Sequence, residues 1–203
     1  MIKAIVFDIG GVLIDLDVPR CIRAFQDRMG FARITELLDP CHQKGIYGDL
    51  EQGILDADHF RDLILAESRP GCKRSDVDEC MGQLLSGVNP RTAAVVNGLK
   101  GRYQLYLASN NNPISMPRCE ACLAANGLDV NATFQGRFVS SDLKLLKPSR
   151  AFYLAVISGI GLPAQEILFI DDSQANVQAA RETGMQARLF VPGSDLGLLL
   201  SDC

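Results

Sequence analysis

The chemistry legible in this sequence rests on Asp8, Ser109, Asn110, Lys147, Asp171 and Asp172, with Gly10 and Gly11 beside the first of them. Three of these groups close apolar runs. Ala4–Phe7 ends in Asp8, Tyr103–Ala108 in Ser109-Asn110, and Glu166–Ile170 in Asp171-Asp172. An unbroken apolar run suits a strand covered on both faces, as in a parallel sheet. Parallel strands bring their carboxyl ends to one edge, and open α/β sheets bind ligands there. One aspartate at a strand end has an ordinary explanation, because Asp favours turns. An acid, a hydroxyl–amide pair and a double acid on the same edge form a constellation. Lys147, in a loop before a helix, is expected to reach that crevice on its long stem. Gly10-Gly11 lets the backbone turn sharply, so that main-chain N–H groups can point at a bound anion.

Holding these groups together requires alternating strands and helices, and the pattern from residue 89 onward provides them. Asn89-Pro90 opens an amphipathic helix over 91–100 that stops at Gly101. A strand over 103–108, a helix over 116–126, a strand over 133–140 and a helix over 149–158 follow. The strand 166–170, a helix over 174–183 and a last strand over 185–191 complete the series. Such alternation predicts a Rossmann-like, doubly wound parallel sheet. Between residues 18 and 88 the period is helical, with segments 20–29, 59–67 and 75–85 and breaks at Gly30, Asp39-Pro40, Gly45, Gly48, Gly53 and Pro70-Gly71. No strand is expected there. The division is therefore a core of 1–16 and 89–203 with a small all-helical insertion at 17–88.

With 203 residues, 47% of them hydrophobic, the chain can bury a sizeable core. A net charge of −4, with no basic stripe, argues against nucleic acid as a partner. Apolar runs such as Ile167–Ile170 are too short to span a membrane, and no signal-peptide core follows Met1, so a cytoplasmic location is expected. The seven cysteines have no regular spacing and read as reduced thiols. Cys119-x-x-Cys122 and Cys41-His42 are expected to be ordinary residues rather than a metal or redox centre.

The residues resemble the haloacid dehalogenase superfamily. F-D-I-G-G-V-L-I-D, L-A-S-N-N, Lys147 within L-K-L-L-K-P, and F-I-D-D-S-Q-A-N-V-Q-A-A match its four motifs in order and spacing. The resemblance covers the whole chain and implies that 17–88 is a helical cap. It also implies a Mg²⁺-dependent phosphatase acting on a small phosphorylated metabolite, such as a sugar phosphate. By resemblance Asp8 is the nucleophile that forms an aspartyl-phosphate, and Lys147 neutralises charge. Gly10, Gly11, Ser109, Asn110 and Lys147 would bind the phosphate, while Asp8, the Gly10 carbonyl, Asp172 and Asp171 would bind Mg²⁺. An aspartate attacking a phosphate ester meets like-charge repulsion, so cations are needed at the site.

One position departs from the pattern. Most phosphatases of the family carry a second Asp two residues after the nucleophile, as acid and base, and here that residue is Gly10. The chain resembles in this an Asp-x-Gly branch that includes bacterial sugar-1-phosphate phosphatases. General acid–base catalysis contributes typically about 10²–10⁴-fold, so the first transfer is expected to depend steeply on leaving-group pKa unless Asp15 or Asp17 donates the proton. Gly10 also keeps open a catalytically impaired, phosphometabolite-binding or regulatory protein. A dehalogenase using the same Asp8 is disfavoured, because three carboxylates would repel without a metal.

Overall fold

The computed structural model of the chain describes residues 1–38 and 45–201. Its main sheet has five parallel strands, β1 (Ala4–Phe7), β4 (Gln104–Ser109), β5 (Gly136–Val139), β6 (Ile167–Asp171) and β7 (Gln186–Leu189). They lie in the order β5-β4-β1-β6-β7, so the strand carrying Asp8 is central. Phe7 pairs with both Leu107 and Ile170. The next residues along, Asp8, Ala108 and Asp171, therefore lie at the same level at the carboxyl edge of the sheet.

Alternate side chains of β1, β4 and β6 feed two apolar layers, as the period of two requires. Ile5, Phe7, Leu105, Leu107, Leu168 and Ile170 pack beneath the helices Pro90–Leu99 and Met116–Ala125. Ala4, Val6, Tyr106, Ala108, Ile167 and Phe169 pack beneath Arg150–Ile160 and Gln174–Glu182. The expected strand over 133–140 is shorter than its alternation suggests. Asp129 caps a helical turn, Val130–Thr133, through its side chain, and pairing with β4 begins only at Gly136.

Between β1 and the helix Pro90–Leu99 run, among the described residues, five α-helices, α1 (Val18–Ala24), α2 (Ile34–Leu37), α3 (Gly45–Glu51), α4 (Ala57–Ala66) and α5 (Arg74–Gly82), with a π-helical turn, Phe25–Met29, after α1. They bury their own cluster, which includes Phe25, Met29, Leu50, Phe60, Ile64 and Met81. The expectation of no strand in this region is corrected. Leu85–Gly87 forms β3 and pairs antiparallel with β2, Asp15–Leu16. The apolar period of α5 continues through Leu84 and Leu85, which reads as helix. In the structure α5 stops at Gly82, and Arg20 binds the Gln83 carbonyl at 2.8 Å and also that of Leu85.

No described helix is long and apolar enough to cross a membrane. Cys119 is buried and Cys122 half-buried on the helix Met116–Ala125. Asp39-Pro40 and the Cys41-His42 pair lie outside the described residues.

Candidate active site

Lys147 organises the carboxyl edge of the sheet. Its ammonium has three N–H donors, and three protein oxygens surround it: Asp171 Oδ2 at 2.7 Å, Asp8 Oδ1 at 3.0 Å and Ala108 O at 3.2 Å. It is 4% exposed. Burial pulls the Lys147 pKa down, but the Asp171 and Asp8 carboxylates outweigh burial and hold it above the usual lysine range. The backbone of Lys147 is fixed by Asn110, whose Oδ1 accepts from Lys147 N–H at 2.8 Å and whose Nδ2 donates to Lys147 O at 3.0 Å. The spacing of the motifs gave no sign of that grip.

Asp8 Oδ1 also accepts from Ile9 N–H at 2.7 Å, and no hydrogen bond from a described residue engages its Oδ2. Both oxygens of the fully buried Asp171 are engaged, since Oδ1 accepts from Ser173 N–H at 2.8 Å and Asn176 Nδ2 at 2.9 Å. Asp172, half-buried beside it, is hydrogen-bonded to no described side chain. Carboxylate oxygens of Asp8, Asp171 and Asp172 lie within 4.8 Å of one another. Burial pushes Asp8 up to about 7, and Asp171 and Asp172 add to the rise while Lys147 opposes it. Three carboxylates against one ammonium leave two negative charges over. A hard divalent cation fits this all-oxygen donor set and offsets that charge.

The two glycines have different reasons. Gly11 has φ of 76°, and a Cβ there would lie 2.1 Å from Asp172 Oδ2, so its lack of a side chain makes room for that carboxylate. Its N–H donates to Ile14 O at 2.9 Å, and Gly11 is not among the residues lining the cavity. The Gly11 N–H expected to point at a phosphate is engaged within the turn in this structure. Gly10 does line the cavity, and a Cβ there would meet only the Leu16 side chain, at 3.0 Å.

The cavity above these groups holds about 240 Å³. Its floor includes Asp8, Gly10, Ser109, Asn110, Lys147 and Asp172, so the sequence-predicted groups do converge. Its walls include Tyr47 and Glu51 of α3, Leu84, and Leu85 of β3. Glu51 is 7% exposed and is a residue that motif reading missed. Burial pushes its pKa up to about 8, with Lys147 opposing and Asp8 reinforcing the rise. Its one sequence signal is position: Tyr47, Leu50 and Glu51 share the buried face of α3 at spacings of three and four. Asp15 is exposed on β2, and Asp17 caps α1 by accepting from Arg20 N–H at 2.9 Å. Neither lines the cavity.

The haloacid dehalogenase-like hydrolase family matches residues 2–184. The chain belongs to that family. A D-ribitol-5-phosphate phosphatase from Bacteroides thetaiotaomicron is 31% identical to it over 196 residues, covering 96% of this chain and 95% of the relative. A crystal structure of a haloacid dehalogenase family enzyme from the same organism, an aspartate-to-alanine variant in complex with magnesium and inorganic phosphate, superposes with a TM-score of 0.92. It is 28% identical and covers 98% of this chain and 99% of that one. The L-2-haloacid dehalogenase from Xanthobacter autotrophicus shares the fold, with a TM-score of 0.62 at 19% identity over 100% of this chain and 84% of its own. In this haloacid dehalogenase-like hydrolase the edge of the sheet carries a buried aspartate, a buried ammonium and a second carboxylate, Asp8, Lys147 and Asp172, within one cavity.

Proposed function

We propose that the protein is a Mg²⁺-dependent phosphatase that hydrolyses a small phosphorylated metabolite, a sugar or polyol phosphate, through an aspartyl-phosphate on Asp8. The observation that carries this reading is the unbalanced cluster of Asp8, Asp171 and Asp172 around Lys147. Such a cluster needs a cation, and a phosphate ester is a substrate that exploits one. The D-ribitol-5-phosphate phosphatase relative and the magnesium–phosphate complex support the substrate class and the metal.

Asp8 Oδ2 attacks phosphorus while Ile9 N–H and Lys147 hold Oδ1, which orients the carboxylate. Lys147 offsets the charge that accumulates as carboxylate and phosphate approach. The Ser109 hydroxyl and the main-chain N–H of Asn110 donate to the phosphate oxygens. Asp8, the Gly10 carbonyl and Asp172 would hold Mg²⁺, which would supply positive charge against the phosphate oxygens. Asp171, with both oxygens engaged, anchors Lys147 and leaves direct ligation to Asp172. Residues 17–88 serve as a cap on the core formed by 1–16 and 89–203, and β2 and β3 are its two connecting strands. Closure of the cap excludes bulk water and selects the leaving group.

The test is a panel of phosphorylated metabolites with the purified protein, with and without Mg²⁺ and chelator. Turnover of sugar or polyol phosphates that chelator abolishes and Mg²⁺ restores is expected. Full turnover in excess chelator would overturn the reading. A phosphometabolite-binding protein, the alternative that Gly10 favours, would instead show saturable binding with no released phosphate.

A further inference from the structure

We propose that Glu51 is the catalytic acid and base missing at Gly10, protonating the leaving oxygen in the first transfer and activating water in the second. The inference rests on the phosphatase reading and assigns the group that reading lacks. The described titratable side chains lining the cavity are Asp8, Tyr47, Glu51, Cys119, Lys147 and Asp172. Asp8, Lys147 and Asp172 are occupied by attack, charge neutralisation and metal binding. Burial pushes the Cys119 thiol up to about 11 and holds the Tyr47 phenol well above its ordinary value, so both are too weak to exchange protons near neutral pH. Glu51 remains.

Its placement suits the task. The carboxyl is hydrogen-bonded to no described residue, so it is available to whatever enters the cavity. Its main-chain position is fixed all the same, because the Ser140 hydroxyl donates to Glu51 O at 2.5 Å. The same hydroxyl accepts from Asn111 N–H at 3.0 Å. The end of α3 is thereby tied to the loop that carries Ser109 and Asn110. Burial keeps the carboxyl protonated at neutral pH, the state in which it can give a proton.

In the first step the Asp8 Oδ2–phosphorus bond forms and the phosphorus–leaving oxygen bond breaks. The Glu51 proton passes to that oxygen, releasing an alcohol and leaving Glu51 as carboxylate. In the second step Glu51 takes a proton from water as the water oxygen attacks phosphorus and the bond to Asp8 breaks. Asp8 carboxylate, inorganic phosphate and protonated Glu51 result, so the cycle closes without any other reactant.

The experiment compares the full-length wild-type protein with Glu51→Gln, in Mg²⁺, on phosphate esters graded in leaving-group pKa. Readouts are kcat/KM, which reports the first transfer, and the burst of nitrophenol from nitrophenyl phosphate. The expected result is a shallow dependence for the wild type. Glu51→Gln should lose about 10²–10⁴-fold on alkyl phosphates and almost nothing in kcat/KM on nitrophenyl phosphate. With that good leaving group the variant should also show a burst of nitrophenol, because hydrolysis of the aspartyl-phosphate has become slow. Circular dichroism and calorimetric titration with inorganic phosphate check that fold and phosphate binding persist, and Glu51→Asp provides a second, shorter acid expected to recover part of the alkyl-phosphate rate. An equal loss on every ester, or no loss at all, overturns the role of Glu51 while leaving the phosphatase reading intact. A wild type that hydrolyses no ester in Mg²⁺ overturns the phosphatase reading itself, and the Glu51 role with it.

Discussion

Asn110 and Lys147 hold each other through both ends of one amide, Oδ1 on Lys147 N–H at 2.8 Å and Nδ2 on Lys147 O at 3.0 Å. The strand end that places Ser109 in the cavity therefore also sets where the Lys147 side chain begins. Asn110→Ala should leave two part-buried backbone groups unpaired, at a cost of about 1–3 kcal/mol each, and should lower kcat because Lys147 is no longer aligned on Asp8. Asn110→Asp, which keeps the acceptor, should fall between. Thermal melts and steady-state rates on the three proteins check this, and equal rates in all three would show that Lys147 is placed by other contacts.

Gly11 has positive φ and faces the Asp172 carboxylate. Gly11→Ala combines backbone strain with a Cβ driven into Asp172 Oδ2, so the carboxylate must move. Weakened Mg²⁺ affinity is expected, with destabilisation of about 1–3 kcal/mol from the strained backbone. Calorimetric titration of Mg²⁺ measures the first effect and denaturant melts the second. Unchanged Mg²⁺ affinity would show that Asp172 need not sit where Gly11 allows it.

Asp8→Asn keeps the shape of the side chain and removes the attacking charge. Turnover should vanish while the fold persists. Lys147→Ala should do more damage to the fold, because it strips the counter-charge from buried Asp8 and Asp171. Breaking a buried pair in this way costs about 3–5 kcal/mol. If Asp8→Asn retained near-native rates with either substrate class, Asp8 would not be the nucleophile.

The raised pKa of Glu51 also affects stability. Between its ordinary value of 4.5 and about 8, the folded protein keeps the Glu51 proton that the unfolded chain has lost. The unfolded state then binds fewer protons, so stability falls as pH rises through that window. The charged groups acting on Glu51 are Lys147, which favours the carboxylate, and Asp8, which favours the acid. Glu51→Gln cannot ionise and should escape the loss. Its unfolding free energy without Mg²⁺ should exceed that of the wild type increasingly from pH 5 to pH 8, by up to about 1.4 kcal/mol per pH unit, with the melting temperature rising in step. Parallel pH–melting curves for the two proteins would show that Glu51 ionises as freely in the fold as in water.

Turn-forming glycines, apolar runs and the residues that end them are local properties, and from them the sequence alone determined the parallel sheet, its edge and the convergence of Asp8, Ser109, Asn110, Lys147, Asp171 and Asp172. Strand ends in such a sheet have nowhere else to meet. Three matters were settled only by tertiary structure, because each depends on residues far apart in the chain. Two-residue β2 finds β3 some seventy positions later, a pairing too short to leave a period in the sequence. Gly11 is a glycine because Asp172 needs its space, a steric fact invisible at either position alone. Glu51 reads in the sequence as one more polar helical residue. Only the packing of α3 against the sheet edge takes its carboxyl out of water and places it in the cavity with Asp8, where desolvation turns an ordinary surface acid into a protonated one.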